Sequence, residues 1–327
     1  MVCFSMSFRN NQRIKLAQLR AFVAVAESGG FARAAGRLNL TQSAASRQIM
    51  ALEADLGLRL FTRNGQHTTL TLEGEDLLRH SRRLLADLDS LGERAQALKG
   101  GQTGILRVSA SPQVLERVLA PFLARYRRGH AGVEVHLSET GPARLGQLER
   151  GELHLAIMPA LEAQRFRWRL LYPIHVLAAV AKTHRLARRA VIDIGEIADE
   201  PVLMLKDGFV ARGWFEAACN ASGIRPRVLV ESSAPATLLA LAQVGHGVAI
   251  IPSNVAPLPS VRFVMLTHEA QPSGRWSSVV WNQHRFLPPY AKDFADELVA
   301  DVRRGFPGRE LIRRAPQLPR PKEIFPL

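Results

Sequence analysis

Residues 39–57 read NLTQSAASRQIMALEADLG, and this stretch decides the fold of the N-terminal part of the chain. Thr41 predicts the start of a helix, because its hydroxyl can accept a hydrogen bond from a backbone N–H group that the first helical turn leaves unpaired. Gly57 predicts the end of the same helix. The apolar face carries Ala45, Ile49, Leu52 and Leu56. The opposite, polar face carries Gln42, Ser43, Ser46 and Arg47. The stretch therefore indicates an amphipathic helix with a small polar face.

Two shorter helices are predicted before this helix and a β-hairpin after it. Apolar residues recur at helical spacing from Leu16 to Ala26 and again from Phe31 to Leu38. The β-prone runs 58–61 and 68–71 flank Asn64-Gly65, which is a strong hairpin signal. Three helices followed by a hairpin are the pattern of a winged helix-turn-helix.

This pattern favours binding to DNA, because such a domain places its third helix in the major groove. Glutamine pairs well with adenine and arginine with guanine, and a wing can reach a neighbouring phosphate or the minor groove. Between Arg9 and Arg63 there are nine basic and three acidic residues, a balance that favours a polyanionic partner. The alternative is an ordinary three-helix core with solvated polar residues. The candidate DNA-binding residues are Phe31, Gln42, Ser43, Ser46, Arg47, Gln48, Arg63, Gln66 and His67.

A long helix is predicted next, from about Glu73 to Lys99. Its leucines recur every seven residues, and Leu88 and Ala95 fill the intervening positions, as in a coiled-coil seam. Because the helix has few apolar residues off that seam, we expect a dimerisation helix rather than a core helix of its own domain. The candidate dimerisation residues are Leu77, Leu84, Leu88, Leu91 and Leu98.

After a glycine-rich hinge at 100–104, short apolar strands alternate with helices, which favours an α/β fold on largely parallel sheets. Strands are predicted at 106–109, 133–138, 155–158, 202–205, 228–231 and 248–251, and a last helix from about Pro289 to Val302. Residues 306–327 contain five prolines and many arginines, and they predict a disordered or loosely attached tail. This basic tail either adds non-specific DNA affinity or is simply solvated.

The composition of the chain excludes several classes of function. The chain has 327 residues, a net charge of +14 and two cysteines, Cys3 and Cys219, without disulfide or metal-site spacing. No apolar run approaches the length of a membrane span, and residues 1–11 do not resemble a signal peptide, so we expect a cytoplasmic protein. No catalytic set, metal site or phosphate-binding motif can be assembled, so neither an enzyme nor a cofactor is expected.

Several of these segments together resemble LysR-type transcriptional regulators. The similar segments are 19–35, 42–49, 52–53, 56–57, 60–63 and 70–74 in the first part of the chain, and 151–157 and 245–252 further on. The chain departs from the usual pattern at four places. Gly30 stands where the family more often has Ser, Ser43 and Leu72 stand where it more often has Pro, and His154 stands where it more often has Asp. These departures bear on the affinity for DNA or on operator preference. The resemblance covers nearly the whole chain.

The resemblance implies a fold and a function for the C-terminal part. The expected fold is two Rossmann-like subdomains, similar to periplasmic binding proteins, with a ligand cleft between them. The expected function is a bacterial regulator in which a small-molecule effector, of unknown identity, switches binding to an interrupted palindromic operator in double-stranded DNA. Many relatives are dimers of dimers, so a homotetramer is expected, and RNA polymerase is an expected partner.

The effector is expected at strand ends and helix N-termini, where free N–H groups attract anions. Lys206 beside hydroxyl groups would suit a carboxylate, although each Ser or Thr could equally cap a helix or stabilise a turn. The candidate effector-binding residues are Ser109, Ser111, Gln113, Thr140, Lys206, Phe209 and Val210.

The expected domains are a winged helix-turn-helix at 14–72, a linker helix at 73–99, an effector-binding domain at 100–302 and a tail at 303–327. Within the effector-binding domain, subdomain I comprises about 105–162 plus 268–302, and subdomain II about 163–267. Two rival functions remain: a constitutive architectural DNA-binding protein without a ligand, and a transport-type binding protein or enzyme built on the α/β half.

Overall fold

The computed structural model describes residues 14–64, 67–99, 103–139, 144–160, 165–312 and 316–321, except for the side chains of residues 63, 64 and 67. The chain divides into two compact units. The first comprises Met1–Gly92 with Arg150–Glu152, and the second comprises Glu93–Glu149 with Leu153–Leu327.

The first unit is a three-helix domain with a hairpin wing and the start of a long helix. Its elements are α1 (Leu16–Ser28), α2 (Phe31–Arg37), α3 (Gln42–Leu56), β1 (Phe61–Asn64), β2 (His67–Leu70) and α4 (Leu72–Leu98). Phe22 is fully buried and meets the ring of Phe61 edge-on, with 5.5 Å between the centroids. Ile49 and Leu52 of α3 join the same core. The apolar stripe predicted for α3 is therefore confirmed as the face that fixes this helix to its domain.

The hairpin differs from the prediction in its first strand. That strand begins at Phe61 and not at Leu58, and it pairs antiparallel with β2 up to Asn64 and His67. The physical reason is the carboxylate of Glu53 on α3, whose Oε1 accepts hydrogen bonds from the backbone N–H groups of Leu60 (2.7 Å) and Phe61 (3.3 Å). These bonds tie the start of the wing to α3, and strand pairing begins at Phe61, the second of the two residues that they hold.

The second unit contains two β-sheets, each covered by helices. Strands β3 (Gly104–Ser109), β4 (Val133–Ser138) and β5 (Leu155–Pro159) are mutually parallel in the order β4-β3-β5. Helices α5 (Pro112–Val114), α6 (Ala120–Gly129) and α7 (Arg144–Arg150) lie between these strands in sequence, and a π-helical turn at Leu115–Leu119 joins α5 to α6. Two antiparallel strands complete this sheet, and we call the sheet with its helices lobe I.

The later strands form a second sheet with its own core. Strand β6 (Phe166–Ala181) leads into β7 (Val191–Asp193), β8 (Pro201–Leu205), α8 (Val210–Ala221), β9 (Arg227–Ser232), α9 (Pro235–Gln243), β10 (Val248–Pro252) and β11 (Val261–His268). Strands β10, β8 and β9 are parallel neighbours, whereas β6 runs antiparallel to β10 and β11. We call this sheet with α8 and α9 lobe II. Short 3-10 turns at Arg185–Arg188 and Ile194–Ile197 flank β7.

The chain then returns through β12 (Gln271–Pro272) and β13 (Gly274–Asn282) to α10 (Pro289–Arg304) and α11 (Arg309–Ile312). Strand β13 lies antiparallel between β5 and the first half of β6, so the sheets are mixed and not largely parallel. The long strands β6, β11 and β13 were not predicted. They pair antiparallel across long sequence distances, which a local alternation of strand and helix does not reveal.

Strand β6 belongs to both lobes. Its residues up to His175 pair with β13 of lobe I, whereas residues from Val176 onward pair with β10 of lobe II. The start of β6 therefore lies in lobe I, although the sequence assigned residues from 163 onward to the second subdomain. Of the predicted hinge at 100–104, residues 100–102 lie outside the described part, and Gly104 already begins β3.

The C-terminal segment packs on the two lobes, so the prediction of a disordered or loosely attached tail is wrong for its described part. The ring of Phe306 stacks on Tyr172 of β6, with 5.2 Å between the centroids, and contacts the cores of both lobes. Ile312 is buried in the core of lobe II. Leu318 is also buried, and its carbonyl lies 3.5 Å from the Trp276 indole nitrogen of β13. The composition of the segment gave the wrong prediction, because a few apolar residues suffice to hold a segment that is otherwise rich in Pro and Arg.

Replacing Phe306 with Ala should lower the free energy of unfolding of the full chain by about 1–3 kcal/mol. This is less than the roughly 3–5 kcal/mol typical of a fully buried phenylalanine, because Phe306 is only half-buried. Urea denaturation of the full chain measures the change. Leu311→Ala is the control, since Leu311 lies in the same segment but is exposed, and it should change stability by less than about 0.5 kcal/mol. Equal effects of the two substitutions would contradict the packing described for the tail.

Candidate functional site

The third helix begins and ends as the sequence predicts. The Thr41 hydroxyl accepts a hydrogen bond from the backbone N–H of Ala44 at 3.2 Å. Asn39, in the turn before the helix, has φ of 53°, a left-handed conformation that asparagine tolerates better than most residues. Gly57 ends the helix at φ of 67°, where glycine carries no steric penalty. Local chemistry therefore fixes both ends of α3.

The polar face of α3 is open to solvent. Gln42, Ser43 and Arg47 are exposed, while Ser46 and Gln48 are partly buried. The buried residues of α3 lie on the opposite face, so the polar side chains are available to a partner. Met50, one turn further along, is 53% exposed and extends this face with an apolar side chain that the sequence analysis did not single out.

The remaining candidate DNA-binding residues lie in different surroundings. Phe31 is partly buried, and its ring meets that of Phe61 edge-on at 6.1 Å between centroids, so part of its surface serves the core. Arg63 and His67 lie in the two strands of the wing, but their side chains are outside the described part, as is the whole of Gln66. The structure thus brings the α3 candidates together on one face and describes only the backbone of the wing at Arg63 and His67.

The seam residues of α4 are divided between core and solvent. Leu77 packs against the core of the helix-turn-helix domain. Leu84, Leu91 and Leu98 are 57%, 64% and 84% exposed, and Leu88 is partly buried. A row of exposed leucines along one 27-residue helix is an apolar strip that a partner helix can cover.

A cavity of about 80 Å³ lies between lobe I and lobe II, next to the shared strand β6. Four of the candidate effector-binding residues line it: Ser111, Gln113, Phe209 and Val210. Thr140 lies outside the described residues. Lys206 is exposed and does not line the cavity. Four candidates at the strand ends thus line one cavity, but the lysine expected to provide its charge does not.

The cation of the cavity is Arg144, which the sequence analysis missed. Its Nε donates a hydrogen bond to the Ser109 hydroxyl at 3.2 Å, and that hydroxyl donates to the Ser138 carbonyl at 3.1 Å. Ser109 is fully buried and does not line the cavity, so it orients Arg144 from behind. Burial lowers the pKa of Arg144, although a guanidinium stays charged at neutral pH. No sequence signal marks Arg144, because it begins a short helix outside any motif.

Further lining residues come from both lobes and from the strands between them. Ser277 of β13 and Asn254, which follows β10, are each 2% exposed. The apolar lining residues, none of them predicted, are Val114, Ile157, Met158, Pro159, Ile174, Leu205, Ala211, Trp214 and Pro252. Hydrophobic walls with a few placed polar groups are typical of a small-molecule site.

Other chemistries find no support in the described part of the chain. It contains no group of three or more His, Cys, Asp or Glu side chains that could hold a metal ion. None of its helices combines the length and apolar character that spanning a bilayer requires. Cys219 is buried, and burial raises the pKa of its thiol to about 11, which does not suit a reactive thiolate.

His154, one of the departures from the family pattern, has a structural role. The ring is 8% exposed, and its Nδ1 accepts a hydrogen bond from the backbone N–H of Arg107 at 3.1 Å. Its Nε2 lies 3.1 Å from the carboxylate of Glu93 near the end of α4. Burial raises the pKa of Glu93, but His154 and Arg107 outweigh it, so the carboxylate titrates below its ordinary range. This network anchors the end of α4 to lobe I.

Two family signatures cover most of the chain. Residues 16–75 match the family described as bacterial regulatory helix-turn-helix protein, lysR family. Residues 99–303 match the family described as LysR substrate binding domain. The matched ranges coincide with the helix-turn-helix and its wing, and with the two lobes up to the end of α10.

Relatives match over nearly their whole length. The uncharacterized HTH-type transcriptional regulator YnfL of Escherichia coli K12 is 30% identical over 304 residues, covering 89% of this chain and 99% of that protein. The HTH-type transcriptional regulator CbbR of Rhodospirillum rubrum is 32% identical over 300 residues, covering 88% and 97%. Full-length CbnR, in a crystal structure with its target DNA, is similar in fold with a TM-score of 0.63 at 24% identity, covering 89% and 99%.

Replacing Thr41 with Ala should lower the stability of the helix-turn-helix domain by about 1 kcal/mol, because the first turn of α3 loses its side-chain cap. Chemical denaturation followed by circular dichroism measures the change. Thr41→Ser retains the hydroxyl and should keep most of the stability. If Thr41→Ala and Thr41→Ser unfold at the same denaturant concentration, the cap does not stabilise α3.

Proposed function

Because the chain belongs to the LysR family of bacterial transcriptional regulators, we propose that α3 recognises its operator and that a small molecule in the cavity between the lobes controls this binding. The regulator pairs a helix-turn-helix DNA-binding domain with an effector-binding domain. Its relatives carry the names of transcriptional regulators and not of enzymes.

The observation that carries the proposal is the exposed polar face of α3. The helix is held to its domain by Ala45, Ile49 and Leu52, so the opposite face points away from the core. Gln42, Ser46 and Arg47 provide hydrogen-bonding groups that suit base edges and phosphates. The wing, with Arg63, Gln66 and His67, contacts the adjacent backbone or minor groove in this proposal, and Phe31 supports the helix from the core side.

Two chains pair through their α4 helices. The support is the strip of Leu84, Leu91 and Leu98, which remains exposed in a single chain. A two-fold dimer presents two α3 helices, which suits the half-sites of an interrupted palindrome. Two dimers form the tetramer, and the regulator acts on RNA polymerase at the promoter. The protein works in the cytoplasm, where its DNA lies.

Effector control works through the two lobes. A ligand that contacts both walls of the cavity binds one lobe arrangement better than another and so shifts the equilibrium between them. The change reaches the DNA-binding domains through α4, whose end is held to lobe I by Glu93 and His154. A constitutive architectural protein would have no use for such a cavity, and this difference separates the rival function from the one proposed.

Arg47→Ala should weaken operator binding by about 1–3 kcal/mol and reduce its salt dependence, because one cation no longer contacts the DNA. The operator is selected from a random DNA pool with the full-length protein, and affinity is measured by fluorescence anisotropy at several salt concentrations. The matched control is Arg128→Ala, which removes an exposed arginine from α6. If Arg47→Ala and Ser46→Ala both bind like the unaltered protein, α3 is not the recognition helix.

Leu84→Lys should weaken self-association at least about tenfold, because a buried charge in a coiled-coil seam is costly. Analytical ultracentrifugation of the full chain over a concentration series measures the change. Leu229→Lys is the control, since Leu229 is exposed to a similar extent, 53% against 57%, but lies on β9. An unchanged dimer of Leu84→Lys would exclude α4 as the seam.

A further inference from the structure

The two walls of the cavity differ in chemistry. Lobe I contributes the polar side chains Ser111, Gln113 and Arg144. Lobe II contributes mainly apolar side chains, among them Phe209 and Trp214, together with the amide of Asn254. A ligand that fills this cavity therefore meets a cationic, hydrogen-bonding end on one lobe and an apolar surface on the other.

Arg144 is held ready for a ligand. Its Nε is bound to the Ser109 hydroxyl, which fixes the plane of the guanidinium and leaves the four N–H groups of its two terminal nitrogens. Ser109 is itself held by the Ser138 carbonyl, so a chain of hydrogen bonds within lobe I sets the orientation. A guanidinium with both terminal nitrogens available matches the two oxygens of a carboxylate.

In the described part of the chain, no acidic side chain neutralises the charge of Arg144. Among the residues that the structure describes, no carboxylate forms an ion pair with it, whereas several other part-buried arginines, such as Arg107, Arg150 and Arg212, each pair with a glutamate. Arg144 is also partly buried beside apolar residues, and burial lowers its pKa. A desolvated cation without a counter-ion is costly, and an anionic ligand offsets that cost.

We propose that the effector is a small organic anion whose carboxylate binds Arg144 and whose apolar body packs against Phe209 and Trp214. This inference rests on the function proposed above and adds the chemical class of the effector. The cavity of about 80 Å³ is small compared with typical ligand pockets, so it limits the acid to a compact one. Because the anion contacts lobe I and the apolar body contacts lobe II, one ligand bridges both lobes.

Acids and their neutral amides provide the test. Acetate, butyrate and benzoate are each titrated into the full-length protein by calorimetry beside acetamide, butyramide and benzamide. Each amide keeps the shape of its acid, but it removes the charge and replaces one acceptor oxygen with an N–H donor, so it cannot accept two hydrogen bonds from a guanidinium in the same way. We expect at least one acid to bind with a Kd of about 1 mM or tighter and at least about tenfold more tightly than its amide.

Two variants locate the interaction. Arg144→Gln should abolish the preference for the acid, and Arg144→Lys should retain part of it, because lysine keeps the charge without the bidentate geometry. Arg128→Gln removes an exposed arginine elsewhere and should leave the preference intact. If Arg144→Gln does not fold, the acid preference of Arg144→Lys decides: a value equal to that of the unaltered protein overturns the inference.

The outcomes separate this inference from the proposed function. It is overturned if no acid binds, if acids and amides bind equally, or if Arg144→Gln keeps the preference. Operator affinity is measured with and without each probe in parallel. If an acid binds through Arg144 without changing operator affinity, the inference stands and effector control by that acid fails. If a neutral amide changes operator affinity, effector control stands and the inference fails.

Discussion

The regulatory half of this protein depends on one constraint, which is that a single strand belongs to two sheets. Strand β6 pairs with β13 up to His175 and with β10 from Val176 onward, so the lobes cannot separate without breaking a continuous backbone. At this junction the chain also carries buried groups such as Tyr172 and His175. Burial lowers the pKa of His175 to about 4, so the ring is neutral at physiological pH.

The order of the strands in the two sheets determines which side chains line the cavity. Because parallel strands end at the same edge of a sheet, Ser111 and Gln113 after β3 come close to Arg144 on α7. The corresponding edge of lobe II supplies Phe209 and Val210 after β8. Lobe I thus provides the cation and most of the polar groups, and lobe II provides mainly apolar surface. A ligand with both characters gains its full interaction energy only when the lobes come together around it, which is the condition for coupling binding to conformation.

The parts of the fold that local chemistry determines were predicted from the sequence. Thr41, the apolar stripe of α3 and Gly57 define a helix without help from distant residues, and the family resemblance supplied the two-lobe architecture. Strands β6, β11 and β13 were missed because their partners lie far away in sequence. The strand ends predicted Ser111, Gln113, Phe209 and Val210, which line the cavity, but the cation was assigned to Lys206, which does not. Arg144 belongs to no sequence motif, and its place at the cavity is recognised only from the structure, where it is bound to Ser109.

The C-terminal segment has a practical consequence. The family signature ends at residue 303, yet Phe306 covers Tyr172 and Gly308 lies so close to the Ser253 backbone that a side chain there would collide with it. A fragment that stops where the homology stops would expose the aromatic surface of the junction to water and promote aggregation. Fragments for crystallisation should therefore continue through Pro321, and affinity tags belong at the N-terminus. In this protein the packed C-terminal segment extends beyond the residues that match the family signature.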